Sequence, residues 1–340
     1  MTHRTTVIAD HHKHIFVCQV LDHETGEVST ATLDARRDVL RPFLDALPGP
    51  ARLFVEACRS WEWVCDLCED LGIEFHLIDP RRMPEIAKSN KKSDRADVEA
   101  MVRRLMVCGK LPESRVASRS ERELRGLTRE LSSLRRLNKV LLNQIHAAVD
   151  AHGIHGNKSK FRCPQWRATV QEELSPDAWR LLEALLLRWD FVLAQRELLQ
   201  DRVEEILRPR EEYQRLQTAP GIGPILAATI LAEVPHPEEF KSARQFAAFA
   251  GLVPRVRSSA GKAKRGSITK AGPRDLRWAL GQAVMVGHFS KEPTRAVRLA
   301  RRKRKKGKAY KVALCAGANK LARMVWAMLV RGTAYQPSMP

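Results

Sequence analysis

Four carboxylates stand where metal-assisted phosphodiester chemistry would need them. Asp10 closes the first strand-like run, Thr5–Asp10, and Glu56 closes the fourth, Ala51–Glu56. Asp94 and Asp97 lie three residues apart, just ahead of a helical run, so both can share one helix face. Strand-end carboxylates that converge with a helical pair offer hard oxygen donors for one or two Mg²⁺ ions. Metals about 4 Å apart would activate a nucleophile and stabilise a leaving oxygen. The plainer alternative is that Asp94 and Asp97 favour a helix N-terminus while the other two cap strands. The chain has 39 acidic residues, so spacing alone leaves both readings open.

A second kind of chemistry is suggested further along. Arg255-Val256-Arg257-Ser258-Ser259-Ala260-Gly261-Lys262 sets serines among cations. A serine there can attack phosphorus while Arg255, Arg257, Lys262, Lys264, Arg265 and Lys270 stabilise the negative charge that develops. The alternative is a serine that only contacts phosphate. Pro220-Gly221-Ile222-Gly223 is a tight turn between two helix-like stretches and resembles the hairpin of a helix-hairpin-helix. Gly221 and Gly223 would let backbone N–H groups approach a phosphate, and a plain helix connection is the competing reading. Arg301-Arg302-Lys303-Arg304, within a longer basic run, suits contact with a nucleic-acid backbone and carries no sequence specificity by itself.

The elements that must position these groups follow from periodicity. Thr5–Asp10, Ile15–Val20 and Val28–Leu33 read as three short strands, with turn residues Asp22–Gly26 between the second and third. A helix is expected near Arg36–Leu47, ended by Pro48-Gly49-Pro50. Ala51–Glu56, Trp61–Leu71 and Glu74–Ile78 then read as strand, helix and strand. A meander followed by strand–helix units is the order expected of an RNase H-like α/β sheet. From Ser118 the character changes. Leu124, Leu127, Leu131, Leu134, Leu141, Ile145 and Ala148 keep a 3-4 spacing, and Asn138 fills the missing position, a known device for fixing register and partner number. Packing of this amphipathic helix on its own domain is the alternative. Ser175-Pro176 is an N-cap and N1 pair for a second leucine-rich helix reaching about Leu207. Residues 311–331 return to an apolar helical pattern.

Charge and composition narrow the class. The 340 residues suffice for about two domains, and 44% hydrophobic content permits a sizeable core. The net charge of +20 is unevenly placed: residues 1–254 balance 37 basic against 37 acidic groups, whereas residues 255–311 hold 19 basic and 2 acidic. That asymmetry suggests a polyanionic partner, most often nucleic acid. No apolar run predicts a membrane span or a signal peptide. Seven scattered cysteines do not read as a disulfide framework, and Cys65-x-x-Cys68 lacks a second ligand pair at zinc spacing. The expectation is a cytoplasmic protein with reduced thiols.

Taken in order, the motifs resemble one family. Asp10-His11-His12-Lys13 is similar to a first-strand D-x-H-K element, and Val55-Glu56-Ala57-Cys58 to an E-A-T/C-G element. His76-Leu77-Ile78-Asp79-Pro80 and Lys92-Ser93-Asp94-Arg95-Ala96-Asp97 follow. Then come Pro220-Gly221-Ile222-Gly223, Phe249-Ala250-Gly251-Leu252-Val253-Pro254, the serine segment, and Gly266-Ser267-Ile268-Thr269-Lys270-Ala271-Gly272. Each is unspecific alone. The series, covering nearly the whole chain, resembles the DEDD transposases of bacterial insertion sequences, a family that includes Piv-type DNA invertases and bridge-RNA-guided recombinases.

The resemblance implies an N-terminal RuvC-like, RNase H-fold catalytic domain (1–110), a helical coiled-coil stalk (118–208) and a basic, mainly helical C-terminal transposase domain (209–340) with a helix-hairpin-helix-like element. It implies that Asp10, Glu56, Asp94 and Asp97 bind Mg²⁺ and that Ser259, or Ser258, forms a transient phosphoserine link. It also implies donor and target DNA, a structured bridge RNA and a homo-oligomer, dimer or tetramer, whose active site combines the tetrad of one subunit with the serine of another. A nucleoid-associated location when acting goes with this. Arg59 stands in place of a usual Gly, Ala260 in place of the Gly after the serine, and Pro273 in place of an Asn. Two other functions remain: a RuvC-like nuclease that hydrolyses branched DNA without a serine intermediate, and a non-catalytic nucleic-acid binder.

Overall fold

A computed structural model describes residues 3–58, 60–79, 82–83, 94–259 and 262–337. Two compact units divide it, residues 1–119 and 120–340.

The first unit is built on a six-stranded sheet in the order β3-β2-β1-β4-β5-β6. Its strands are β1 (Thr5–His11), β2 (Ile15–Asp22), β3 (Val28–Asp34), β4 (Ala51–Glu56), β5 (Glu74–Ile78) and the two-residue β6 (Glu113–Ser114). The first three form an antiparallel meander; β4 pairs parallel to β1, and β5 parallel to β4. Parallel strands need crossovers, supplied here by α1 (Arg37–Asp45) and α2 (Trp61–Leu71), and both faces of such strands are covered. Alternation along β1 shows it. Val7 and Ala9 enter a core with Leu40 and Leu44 of α1 and Val64 and Leu67 of α2. Ile8 enters the opposite core with Val98, Met101, Val102 and Leu105 of α3 (Asp94–Cys108). Every residue of β1 is buried.

Two 32-residue helices, α4 (Arg119–Asp150) and α7 (Pro176–Leu207), dominate the second unit. Between them lie α5 (Lys158–Phe161) and α6 (Pro164–Glu173). Asn157 caps α5, and the Ser175 hydroxyl caps α7 ahead of Pro176. Leu134, Leu141, Ile145 and Val149 of α4 share a core with Leu182, Leu186, Trp189 and Val192 of α7. Asn138 accepts a 2.8 Å hydrogen bond from the indole of Trp189 within the same chain. Leu124, Leu131, Val203 and Leu207, at the other ends of these helices, belong to a second core shared with the C-terminal helices.

That second core gathers α8 (Glu211–Gln217), α9 (Pro224–Glu233), α10 (Ala243–Phe249), α11 (Arg274–Gly287), α12 (Arg295–Lys305) and α13 (Tyr310–Arg331). By length and composition α13 is apolar enough to cross a membrane. Packing accounts for that apolarity, since Leu321, Ala322, Met324, Val325 and Met328 are buried in the core. An antiparallel ribbon, β7 (Pro254–Ser259) and β8 (Lys262–Ile268), interrupts a region expected to be mainly helical. Its alternating residues are cations and small groups rather than apolar ones, so the usual strand signal is missing.

Candidate nucleic-acid processing site

In the first unit the register of β1 with β4 decides where the acids stand. Ala9 pairs with Val55, so Asp10 and Glu56 follow one residue later on neighbouring parallel strands. Strand residues two apart share a face. Asp10 therefore lies on the face of Ile8, and Glu56 on the face of Phe54, both of which pack beneath α3. Asp10 is 5% exposed and Glu56 is half-buried. Asp97, also half-buried, immediately precedes Val98 in the same core. Asp94 is the first residue of α3, and its side chain lies outside the described atoms.

Among the described residues no three His, Cys, Asp or Glu side chains are grouped closely enough to hold a metal. What the described part offers is buried Asp10, with Glu56 at the matching position of the neighbouring parallel strand, on the sheet face covered by the helix that carries Asp97. These are hard oxygen donors, and that donor set fits Mg²⁺ or a similar divalent ion better than a thiophilic one.

The two histidines after Asp10, absent from the site residues expected from the sequence, are further functional candidates. His12 Nε2 lies 3.1 Å from Asp10 Oδ2, with half of its own side chain exposed. His11 points the other way, as strand alternation requires. It is 1% exposed, its Nδ1 is 3.2 Å from Cys58 Sγ, and its ring meets Trp63 edge-on at 5.5 Å. Burial, assisted by the neighbouring His12, holds the His11 pKa below the usual histidine range. The signal for both was the unbroken Asp-His-His-Lys run at a strand end. Cys65 and Cys68 are buried and form no disulfide; Cys68 packs in the core under α1 and α2, and the Cys65 thiol reaches Glu69 Oε1 at 3.6 Å.

In the second unit Ser259 is paired with Lys262 and Ser258 with Ala263, at the tip of the β7–β8 ribbon. Ala260 and Gly261 lie outside the described residues, as do the side chains of residues 256–265. Arg257, Lys262, Lys264 and Arg265 are thus placed on the ribbon by backbone alone. Its base is tied down in detail. A Cβ on Gly272 would meet Phe249 O at 1.8 Å, and one on Gly251 would meet Ala271 O at 2.3 Å; both glycines have positive φ. Thr269 N donates to Val253 O, Lys270 N to Gly251 O, and the Arg255 guanidinium to Thr269 O. The Phe-Ala-Gly and Lys-Ala-Gly segments, distant in sequence, therefore clasp each other beneath the ribbon. Lys270 holds φ 55° there and is exposed. Beside this clasp, between β8 and α13, a mainly apolar cavity of about 660 Å³ carries Lys270, Lys311 and Asn319 on its wall.

The glycine turn splits in function. Gly221, with φ 98°, passes so close to α11 that a Cβ would meet Ala283 O at 2.3 Å and Gly287 N at 2.9 Å. Its lack of a side chain serves packing. Gly223 is exposed at the N-cap of α9 with open space where a Cβ would be. A Cβ on Gly287 would in turn meet Val297 Cγ2 of α12 at 2.8 Å. The turn and the basic helix α12 thus converge on the end of α11. Arg301, Arg302 and Arg304 are exposed on α12, and Lys303 is half-buried.

Known proteins share this arrangement of sequence. Residues 213–298 match the family described as "Transposase IS116/IS110/IS902 family", and residues 9–154 match a DEDD transposase family described as "Transposase". The chain is 31% identical to the transposase for insertion sequence element IS1328 of Yersinia enterocolitica, over 87% of its own length and 88% of the relative's. It is 30% identical to a probable family 20 transposase of Pseudomonas aeruginosa, over 89% and 90% of the two chains. The transposase for insertion sequence element IS1111A of Coxiella burnetii is 30% identical over 83% and 78%. Family matches in the N-terminal and C-terminal parts of the chain, together with these relatives, place the chain in the IS116/IS110/IS902 family of insertion-sequence transposases.

Proposed function

We propose that this transposase cuts and rejoins DNA through a carboxylate tetrad, Asp10, Glu56, Asp94 and Asp97, acting with a serine at the tip of the β7–β8 ribbon. The observation that carries the reading is the β1–β4 register, which sets Asp10 and Glu56 side by side on the face covered by α3. The strand order 3-2-1-4-5, with an antiparallel meander and parallel β1, β4 and β5, supports an RNase H-like, RuvC-like domain. Mg²⁺, one or two ions, is the cofactor that the oxygen donors suit, and when bound it would lower the barrier at the phosphate by charge neutralisation.

In this reading the Ser259 hydroxyl attacks phosphorus, with Ser258 the alternative. A phosphoserine ester forms, the DNA P–O bond breaks, and the serine proton leaves with the DNA hydroxyl end. Attack by a second DNA hydroxyl reverses the exchange, so bond energy is conserved without an external reductant or nucleotide. The cations along the ribbon, Arg257, Lys262, Lys264 and Arg265 with Arg255 and Lys270, stabilise the pentavalent phosphate. Exposed Gly223 and Arg301, Arg302 and Arg304, with Lys303, hold the backbone, and Gly221 shapes the helix-hairpin-helix-like turn. Residues 1–110 act as the catalytic domain, 118–208 as a helical stalk whose Asn138 stripe closes on its own second helix, and 209–340 as the serine-bearing domain, in an assembly of two or four copies. Guidance by an element-encoded structured RNA goes with the family resemblance.

The test is recombination of an excised element with Mg²⁺ as the only divalent ion, together with denaturing capture of covalent protein–DNA species. Asp10→Asn and Asp97→Asn should each abolish strand transfer. Ser259→Ala should abolish the covalent species as well. Hydrolysis that persists in Ser259→Ala would establish a nuclease without a serine intermediate. Unchanged transposition in Asp10→Asn would leave only a binding role.

A further inference from the structure

Phe289 is 91% exposed, more than any other large hydrophobic residue described. It lies in the loop between α11 and α12, after Met285 and Val286, which are themselves 38% and 46% exposed. A lone apolar side chain on a surface is ordinary. This one differs in how firmly its loop is held. Phe289 N donates to Val286 O and Ser290 N to Gly287 O, so the chain turns tightly off the end of α11. The Arg301 guanidinium reaches back from α12 to His288 O at 2.7 Å and to His288 Nδ1 at 3.3 Å. Ser290 Oγ accepts from Glu292 N, and Thr294, 1% exposed, caps α12. An ordered loop therefore presents a hydrated phenyl ring on a fixed base.

Its neighbourhood names the partner. Helix α12, which the loop leads into, carries Arg or Lys at seven of eleven positions and no acid. The Pro220–Gly223 turn packs on Gly287, two residues before Phe289. A polyanion with flat apolar faces satisfies both the cations and the ring, whereas an apolar protein partner would leave the cations unpaired. We propose that Phe289 is a wedge that stacks on, or inserts between, the bases of bound DNA while α12 follows the phosphates. Aromatic and apolar wedges of this kind unstack a base step and bend the duplex, and base–aromatic stacking tolerates any sequence. The inference rests on the DNA-acting function above and adds a residue that the basic run alone does not reveal.

The experiment uses the full-length protein and 30-base-pair duplexes from the DNA flanking the gene, with 2-aminopurine at successive positions. Wild-type protein should brighten the probe at one or two positions, as unstacking requires. Phe289→Ala should lose that signal and bind about five- to a hundredfold more weakly with an unchanged salt slope. Phe289→Trp should restore both. Full brightening and affinity in Phe289→Ala would overturn the wedge while leaving DNA binding intact. A change in assembly size with an unchanged DNA response would overturn it in favour of a contact between copies. Absence of salt-dependent binding by the wild-type protein would overturn the DNA reading itself, and the wedge with it.

Discussion

Asn138 Oδ1 accepts a 2.8 Å hydrogen bond from Trp189 Nε1, joining α4 to α7 across the one polar position in an otherwise apolar stripe. Trp189 is fully buried, so its N–H has to find an acceptor inside the protein. An Asn at such a position sets register, and here the partner it registers is a helix of its own chain. Asn138→Ala leaves the indole N–H buried and unpaired, at a cost of about 1–3 kcal/mol. Urea titration followed by tryptophan fluorescence should show the midpoint falling for Asn138→Ala. The double variant Asn138→Leu/Trp189→Phe, which removes donor and acceptor together, should recover most of the loss. Equal destabilisation in the double variant would mean that packing, not the hydrogen bond, sets the cost.

The clasp beneath the serine ribbon predicts opposite outcomes for two glycines only nine positions apart. Gly272 has φ 92° and no room for a Cβ, because Phe249 O stands 1.8 Å away. Gly272→Ala must displace backbone, so both thermal stability and strand transfer should fall. Gly281, inside α11, has open space around the position of a Cβ. Gly281→Ala should raise stability by up to about 1 kcal/mol through helix propensity. A Gly272→Ala protein with wild-type melting and activity would show that the two segments do not need this contact.

Legibility in the sequence followed from how each element earns its order. Ala51–Glu56, Trp61–Leu71 and Glu74–Ile78 form elements with the predicted limits, because hydrophobic alternation, helical spacing and Gly or Pro punctuation coincide there. The Ser175-Pro176 start and Leu207 end of the long helix were readable for the same reason. The β7–β8 ribbon was not, since Arg255-Val256-Arg257 and Lys262-Ala263-Lys264 alternate charge with small groups and carry no run of large apolar residues to announce a strand. At the candidate site, Asp10 and Glu56 could be picked as strand ends. That they are neighbours depends on β4 pairing with β1, a non-local fact no local pattern encodes. The packing of Gly221 against Gly287 depends on the same kind of long-range geometry, whereas His12 beside Asp10 is a contact two residues away along the Asp-His-His-Lys run.

Burial sorts the thiols by reactivity. The Cys18 and Cys68 thiols are each pushed up to about 12 by desolvation, against 9.0 unperturbed. Cys108 is exposed. At pH 8 in native buffer iodoacetamide should alkylate Cys108 and spare Cys18 and Cys68, as mass spectrometry of tryptic peptides will read, with all three modified in urea. The two raised thiols also link folding to alkali. Protonated in the native state and ionised when unfolded, they contribute stability that is complete below about pH 9 and lost as pH rises towards 12. Cys18→Ser and Cys68→Ser variants should therefore show less loss of stability between pH 9 and 11 than the wild type. Rapid native alkylation of Cys68 would place it at the surface instead.

Helix α12 makes a quantitative prediction for binding. Arg301, Arg302 and Arg304 expose their guanidinium groups, and Arg301 also anchors the Phe289 loop through His288. Each phosphate neutralised on duplex DNA contributes about −0.9 to the slope of log K against log salt. Replacing Arg302, Lys303 and Arg304 by Ala, with Arg301 retained to keep the loop in place, should flatten that slope by about two to three units. Affinity should fall alike on unrelated duplexes, because phosphate contacts carry no sequence information. Fluorescence anisotropy from 50 to 300 mM KCl measures both quantities. An unchanged slope would assign the helix to another partner and shift the DNA contact to the cations of the ribbon.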